Sequence, residues 1–218
     1  MTGFTPDILA VPGVILVLIT SMGLFLVQGA VSSVALLAIQ YVGVFVLVSL
    51  NWPFPMALST LVAGWIASFI LGFAIYTLLR EETVPDETPG REGKTTGISF
   101  AYGTTISARI FRLLAGILVG LGALSATPIV VEWVPGIGLV PAIGALVLIG
   151  LGLLQLSLTS HPIRVIIGLL TIISGFEIIY AVVEISALVA GLLAGVTMGL
   201  ALLGVYLLFQ SSMMEETG

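Results

Sequence analysis

Few residues in this 218-residue chain could do chemistry, and the first of them are three carboxylates in apolar surroundings: Glu132, Glu177 and Glu184. Glu177 lies inside S-G-F-E-I-I-Y, flanked by Phe176 and Ile178. Charge in hydrocarbon is costly, so an ionisable group there is a functional candidate by default. Ionising an unpaired carboxyl would cost several kcal/mol, so Glu177 is expected to keep its proton. Two readings stay open. Glu177 is a proton-relay carboxyl or the partner of a buried lysine from another subunit, or it is a neutral acid hydrogen-bonded to Ser174 or Tyr180, one turn either side. Glu184 falls two turns later on the same helix face. It ends the span, where headgroup exposure is the plainer reading and an outward-leading pair with Glu177 the sharper one. Glu132, beside Trp133 and Pro135, reads as a solvated outer-loop residue.

His161 is the sole histidine and precedes Pro162 and Arg164. Proline suits a helix's first turn, and Thr159 or Ser160 can cap it. His161 is therefore a helix-start and headgroup residue, or a proton entry point on the inner surface. Among uncharged groups, Gln40 and Tyr41 sit near the middle of one apolar run and Gln155 near the end of another. An amide in hydrocarbon usually bonds to a neighbouring helix, so Gln40 reads as structural glue before a water site. Gly191, Gly195 and Gly199 recur every four residues, as do Gly116 and Gly120. That spacing lines small residues along one helix face and predicts close approach of another backbone, in this chain or a second one.

Other chemistry is excluded. Without cysteine and with one histidine, the chain has no thiol nucleophile and no metal or haem ligand set. Pro135-Gly136-Ile137-Gly138 lacks the third glycine and the strand of a dinucleotide site and reads as a turn. No catalytic residue, metal site or cofactor is assigned, and there is no basic patch for nucleic acid.

The elements that must position these residues follow from composition. The chain is 59% hydrophobic and 8% charged, against about 25% charged in soluble domains. It cannot cover itself with a polar surface. Its apolar runs are continuous, which rejects the alternating pattern of a membrane barrel. The expected fold is all-α: a polytopic transmembrane helical bundle of about seven spans, at roughly 8–28, 30–50, 56–79, 108–128, 139–158, 163–183 and 186–209. No Lys or Arg precedes the first run, so it is expected to be a retained helix and not a cleaved leader. The stretch 80–105, rich in charge, proline and glycine, reads as a water-exposed loop. It separates a three-helix part, 1–79, from a four-helix part, 106–218. All six basic residues, Arg80, Arg91, Lys94, Arg109, Arg112 and Arg164, fall on one side of this topology. The positive-inside rule makes that side cytoplasmic, with the N-terminus outside and the C-terminus inside. Trp52 and Trp133 are then expected at the outer interface.

Three stretches carry a family resemblance. A-L-L-A-I-Q-Y-V-G-V-F-V-L places a polar Gln inside an apolar helix, and the third span ends in a short charged segment. S-H-P-I-R-V-I-I-G-L-L-T-I-I-S-G-F-E is followed, after a short joint, by a glycine-rich last helix. In these the chain resembles the hydrogenase-4 component E family, a relative of the K-type subunit of NADH–quinone oxidoreductase and of the C subunit of Mrp-type antiporters. The resemblance covers most of the layout, is specific only around 160–200, and implies a K-subunit-like segment at about 160–210. It implies a membrane-arm subunit of a complex-I-like or hydrogenase-like assembly that moves H⁺ or Na⁺. Such a subunit has no redox cofactor and is not catalytic alone. It sits in a prokaryotic cytoplasmic membrane beside antiporter-like subunits, with the 80–105 loop against a peripheral arm. In that family a Glu comes early or midway in the helix where this chain has Gly168-Leu169-Leu170-Thr171-Ile172-Ile173. The family's proton-carrying role therefore does not pass directly to Glu177. The alternatives are a self-contained small transporter or channel, and a membrane anchor or assembly protein.

The topology has a direct test. A cysteine introduced as Gly90→Cys should resist a membrane-impermeant thiol reagent in intact cells and react once the cells are opened. Rapid labelling from outside would invert the topology.

Overall fold

A computed structural model of the chain describes residues 6–27, 29–81, 106–159 and 161–216. These form seven helices: α1 Pro6–Leu26, α2 Ala30–Val48, α3 Phe54–Glu81, α4 Ile106–Trp133, α5 Leu139–Ser157, α6 Pro162–Val183 and α7 Ala187–Glu216. Among the described residues there is no strand. Helices α2 to α7 are each long and apolar enough to cross a bilayer, and α1 is apolar over Ala10–Leu26. The chain is a helical membrane bundle, with its outer face in contact with lipid. Most of the charged stretch, 82–105, lies outside the described residues, and with it Arg91, Lys94 and the contact read for that loop.

Two hydrogen bonds tie opposite ends of the bundle. At one end, the Arg164 guanidinium donates to the Val27 carbonyl at 3.1 Å, joining the start of α6 to the α1–α2 joint. Arg112, at the start of α4, is close enough to Arg164 for the two charges to repel. At the other end, Trp52 Nε1 donates to the Glu184 carbonyl at 2.9 Å, joining the α2–α3 turn to the α6–α7 joint. Trp52 is 3% exposed, so at this end of the bundle its ring is a buried peg between helices. Trp133, 80% exposed, does present its ring to the surroundings.

One helix end departs from the sequence reading, and one joint agrees with it. α4 was expected to stop at 128 but runs through Pro128 to Trp133, so Glu132 sits in its last turn and not in a loop. Proline removes one backbone hydrogen bond, a loss that neighbouring groups commonly make good in membrane helices. The Gly29–Ala30 joint is a true break, after which α2 folds back against α1. The α4–α5 turn depends on Gly136, whose φ of +97° is the left-handed region that glycine enters without strain.

α6 is the central helix. One core cluster joins it to α2, α3 and α7 through Leu37, Leu71, Ile166, Leu170 and Ala201. A second joins it to α1, α2 and α5 through Val17, Val44, Leu148 and Ile178. The three-helix and four-helix parts interleave: α3 packs on α7, α1 on α5 and α2 on α6. α4 is peripheral, resting on α5 and lightly on α1.

The closest approach is between α5 and α6. A methyl group on Gly152 would lie 2.9 Å from the Gly168 carbonyl oxygen, and one on Gly175 would lie 2.7 Å from the Ala145 carbonyl. This seam draws on Gly152, Gly168 and Gly175, none of which belongs to the four-residue repeats. The repeat on α7 points elsewhere: a methyl on Gly191, Gly195 or Gly199 would meet nothing, and the same holds for Gly120. No described residue of this chain packs closely on that α7 face. Gly116 does pack inward, under the Met22 sulfur of α1. Overpacking a close seam costs about 1–3 kcal/mol or more. Gly168→Leu should therefore lower the unfolding midpoint of the purified chain in detergent by several degrees, while Gly195→Leu leaves it unchanged. Equal midpoints for the two variants would contradict this assignment of the seam.

Candidate functional site

α6 carries Thr171, Ser174 and Glu177 three residues apart, which sets them on one face over about two turns. α2 supplies Gln40 and Tyr41, and α7 supplies Thr197. All six side chains are buried. At ~1.5 Å per residue, Glu177 lies about 22 Å from the start of α6 and about 9 Å from its end. That places it in the half of the bundle away from Arg164.

The site is defined by unused hydrogen-bonding capacity. Thr171 Oγ1 donates to the Ile167 carbonyl at 2.8 Å, and Ser174 Oγ donates to the Leu170 carbonyl at 2.9 Å. Both hydroxyls thus spend their protons on their own helix and keep lone pairs free. Gln40 Nε2 reaches Thr171 Oγ1 at 3.5 Å, a long contact. The Tyr41 hydroxyl comes near the Ser174 and Thr197 hydroxyls and the Glu177 carboxyl but makes no hydrogen bond of normal geometry. Four buried atoms have no partner: Gln40 Oε1, Tyr41 OH, Glu177 Oε2 and Thr197 Oγ1. No basic side chain bears on Glu177 among the described residues.

Tyr41 is held in place by shape. Its ring lies against Gly64 of α3 so closely that a methyl group there would overlap it. Gly175, two residues before Glu177, is pinned against α5. The Tyr41 ring is therefore held by a glycine of a neighbouring helix, and the α6 backbone that carries Glu177 is held by a glycine contact with α5.

The other sequence candidates lie elsewhere. Ser174 and Tyr180, proposed as partners of Glu177, do not satisfy Oε2: Ser174 donates to Leu170, and the Tyr180 ring tilts against Phe176 at 5.8 Å. Glu184 is the C-cap of α6, in extended backbone with an exposed side chain, and does not join Glu177. His161 is the N-cap of α6, and its backbone N–H reaches Thr159 Oγ1 at 3.4 Å. It stands more than 20 Å along the helix from Glu177. Gln155 Nε2 donates to the Arg164 carbonyl at 3.1 Å and braces α5 to α6 near that end.

Thr197 is the member that sequence reasoning missed. It sits in A-G-V-T-M-G, where the glycines dominate the pattern and nothing local marks a hydroxyl. Thr171 carries no local mark either, because a helical threonine usually serves its own backbone, as this one does.

A carboxyl, a phenol, three alcohols and an amide, all buried among apolar helices, can pass a proton or share a small guest. No family model, no curated protein and no solved structure matches the chain.

A buried hydroxyl without a partner costs about 1–3 kcal/mol of desolvation. Removing it should not destabilise the fold. Tyr41→Phe and Thr197→Val should match or exceed the wild-type unfolding midpoint in detergent, each by up to about 1 kcal/mol. A clear loss of stability in both would show that these hydroxyls are structurally bonded.

Proposed function

We propose that this protein is a membrane subunit of a larger redox-driven assembly that moves H⁺ or Na⁺ across a prokaryotic cytoplasmic membrane, and that Glu177 is its protonatable relay group. The observation that supports this reading is that Glu177 Oε2 is buried without a hydrogen-bond partner, as is the neighbouring Tyr41 hydroxyl. A purely structural carboxyl in hydrocarbon would be expected to have both oxygens satisfied, because each unmet group is costly. Unmet capacity held in place by rigid packing is what a transient proton needs.

Two further features support the subunit reading. The chain resembles the hydrogenase-4 component E family in its polar second helix and its 160–210 segment. The outward faces of α4 and α7 are broad and apolar, and the α7 face includes three glycines that no described residue of this chain covers. Such a face suits a close-packed neighbour of the antiporter-like kind. Electron transfer belongs to other subunits in this scheme. This chain holds the bundle, positions the carboxyl and keeps water from it.

The chemistry asked of Glu177 is modest. It accepts a proton on Oε2 and gives it up to a neighbour, with Tyr41 and Thr197 reorienting their hydroxyls between the two states. Ser174 offers a lone pair beside them. Gln40 and Thr171 extend the polar track towards the end that holds Arg164.

The test uses native membranes and an affinity-tagged chain. Gentle solubilisation should yield the chain with several different membrane proteins, antiporter-like subunits among them. Glu177→Gln should assemble normally yet abolish respiration-driven ion uptake in membrane vesicles, since the amide keeps the shape and cannot release a proton. A homogeneous homo-oligomer, or full uptake with Glu177→Gln, would contradict the proposal.

A further inference from the structure

A second site lies on the opposite face of α2 and α3 and is independent of the relay. Between these helices runs a groove of about 790 Å³, lined almost wholly by carbon. Its floor is made of small residues, Ala35, Ala38 and Gly72, and its wall of the aromatic rings Trp65, Phe69 and Phe73. Those rings are 51%, 73% and 60% exposed, and Phe69 and Phe73 stack at 6.4 Å. Trp65, Phe69, Phe73, Tyr76 and Arg80 follow one another at spacings of three and four, so they share one stripe of α3.

Three features decide what the groove takes. The first is its length. From Trp65 to Tyr76 it extends about 16 Å, half of the ~30 Å hydrocarbon thickness, so it serves one leaflet. The second is its inner end. Trp65 Nε1 donates to the Ala38 carbonyl at 3.2 Å, a bond that bridges α3 to α2 and closes the groove near mid-membrane. A transmembrane helix docking here would have to continue past that bridge. An acyl chain stops there. The third is its mouth. Tyr76 lies at the level where amphipathic rings meet headgroups, and exposed Arg80 follows one turn later. Arg80 is at the end of the bundle shared with Arg112 and Arg164. Inside the groove Ser68 has no proton to offer a ligand, because its buried hydroxyl already donates to the Gly64 carbonyl.

We infer that this groove binds one anionic phospholipid of the cytoplasmic leaflet, with an acyl chain along the Trp65–Phe69–Phe73 wall and its phosphate at Arg80. The small floor admits a single chain, the aromatic wall gives it a rigid surface, and the guanidinium favours a net negative headgroup.

Lipid retained by the purified chain can be read by native mass spectrometry after exchange against a mixture of anionic and zwitterionic phospholipids. Three proteins are compared: wild type, Ala35→Phe, which fills the floor from an exposed position, and Arg80→Gln, which leaves the groove open. Wild type should keep one phospholipid with preference for the anionic class. Ala35→Phe should lose it while retaining wild-type helix content. Arg80→Gln should keep a lipid but lower the anionic preference about fivefold, the scale of one basic residue at an anionic surface. Equal lipid retention in wild type and Ala35→Phe, or an unchanged preference in Arg80→Gln, would overturn the assignment. So would a photo-crosslinker at Ala38 that captures a polypeptide in native membranes in place of a lipid.

Discussion

Hydrocarbon offers no water to a polar side chain, and this molecule is organised by how it answers that fact. Most of its buried hydroxyls answer locally. Thr20, Ser33, Ser68, Thr127, Thr171 and Ser174 each donate to a carbonyl one turn back on their own helix. Trp52, Gln155 and Arg164 answer across helices, by bonds to backbone carbonyls at the two ends of the bundle. Against this background the unsatisfied atoms of Gln40, Tyr41, Glu177 and Thr197 stand apart. They come from three helices, and the central helix α6 supplies the only carboxyl among them.

Packing keeps that arrangement from collapsing. α6 is held on one side by the carbonyl-to-glycine contacts with α5 and on the other by Leu170, Ile166 and their neighbours on α2, α3 and α7. Gly64 lets the Tyr41 ring press into α3. With helix positions set by backbone contact, the side chains between them cannot drift together to satisfy one another. The same rigidity that makes the site expensive is what preserves it, a trade between stability and function that active sites often show.

Much of the bundle is legible in the sequence, because about twenty consecutive apolar residues have few uses other than a span. The helix breaks at Gly29, Trp52-Pro53 and Gly136-Gly138 follow from residue type. Glu177 is legible too, since a lone carboxyl between Phe176 and Ile178 has no soluble explanation in such a chain. What was not legible is three-dimensional. The glycine repeat on α7 marks a face that no described residue covers, whereas the α5–α6 seam pairs single glycines on two different helices at unlike spacings, which no repeat announces. The residue type of Trp52 points to an interface, and only the fold reveals the Glu184 carbonyl that takes its N–H. Thr197 gains its meaning from facing Tyr41, a relation no window of sequence contains.

The central claim is that Glu177 is an uncharged acid whose oxygen awaits a partner. Infrared difference spectroscopy of the purified protein at neutral pH, wild type against Glu177→Gln, reads this directly. The account predicts a protonated carboxyl carbonyl band that Glu177→Gln removes, and that shifts when Tyr41→Phe alters its surroundings. Carboxylate bands at that position, with no protonated band, would contradict it and would require a cation from another chain beside Glu177.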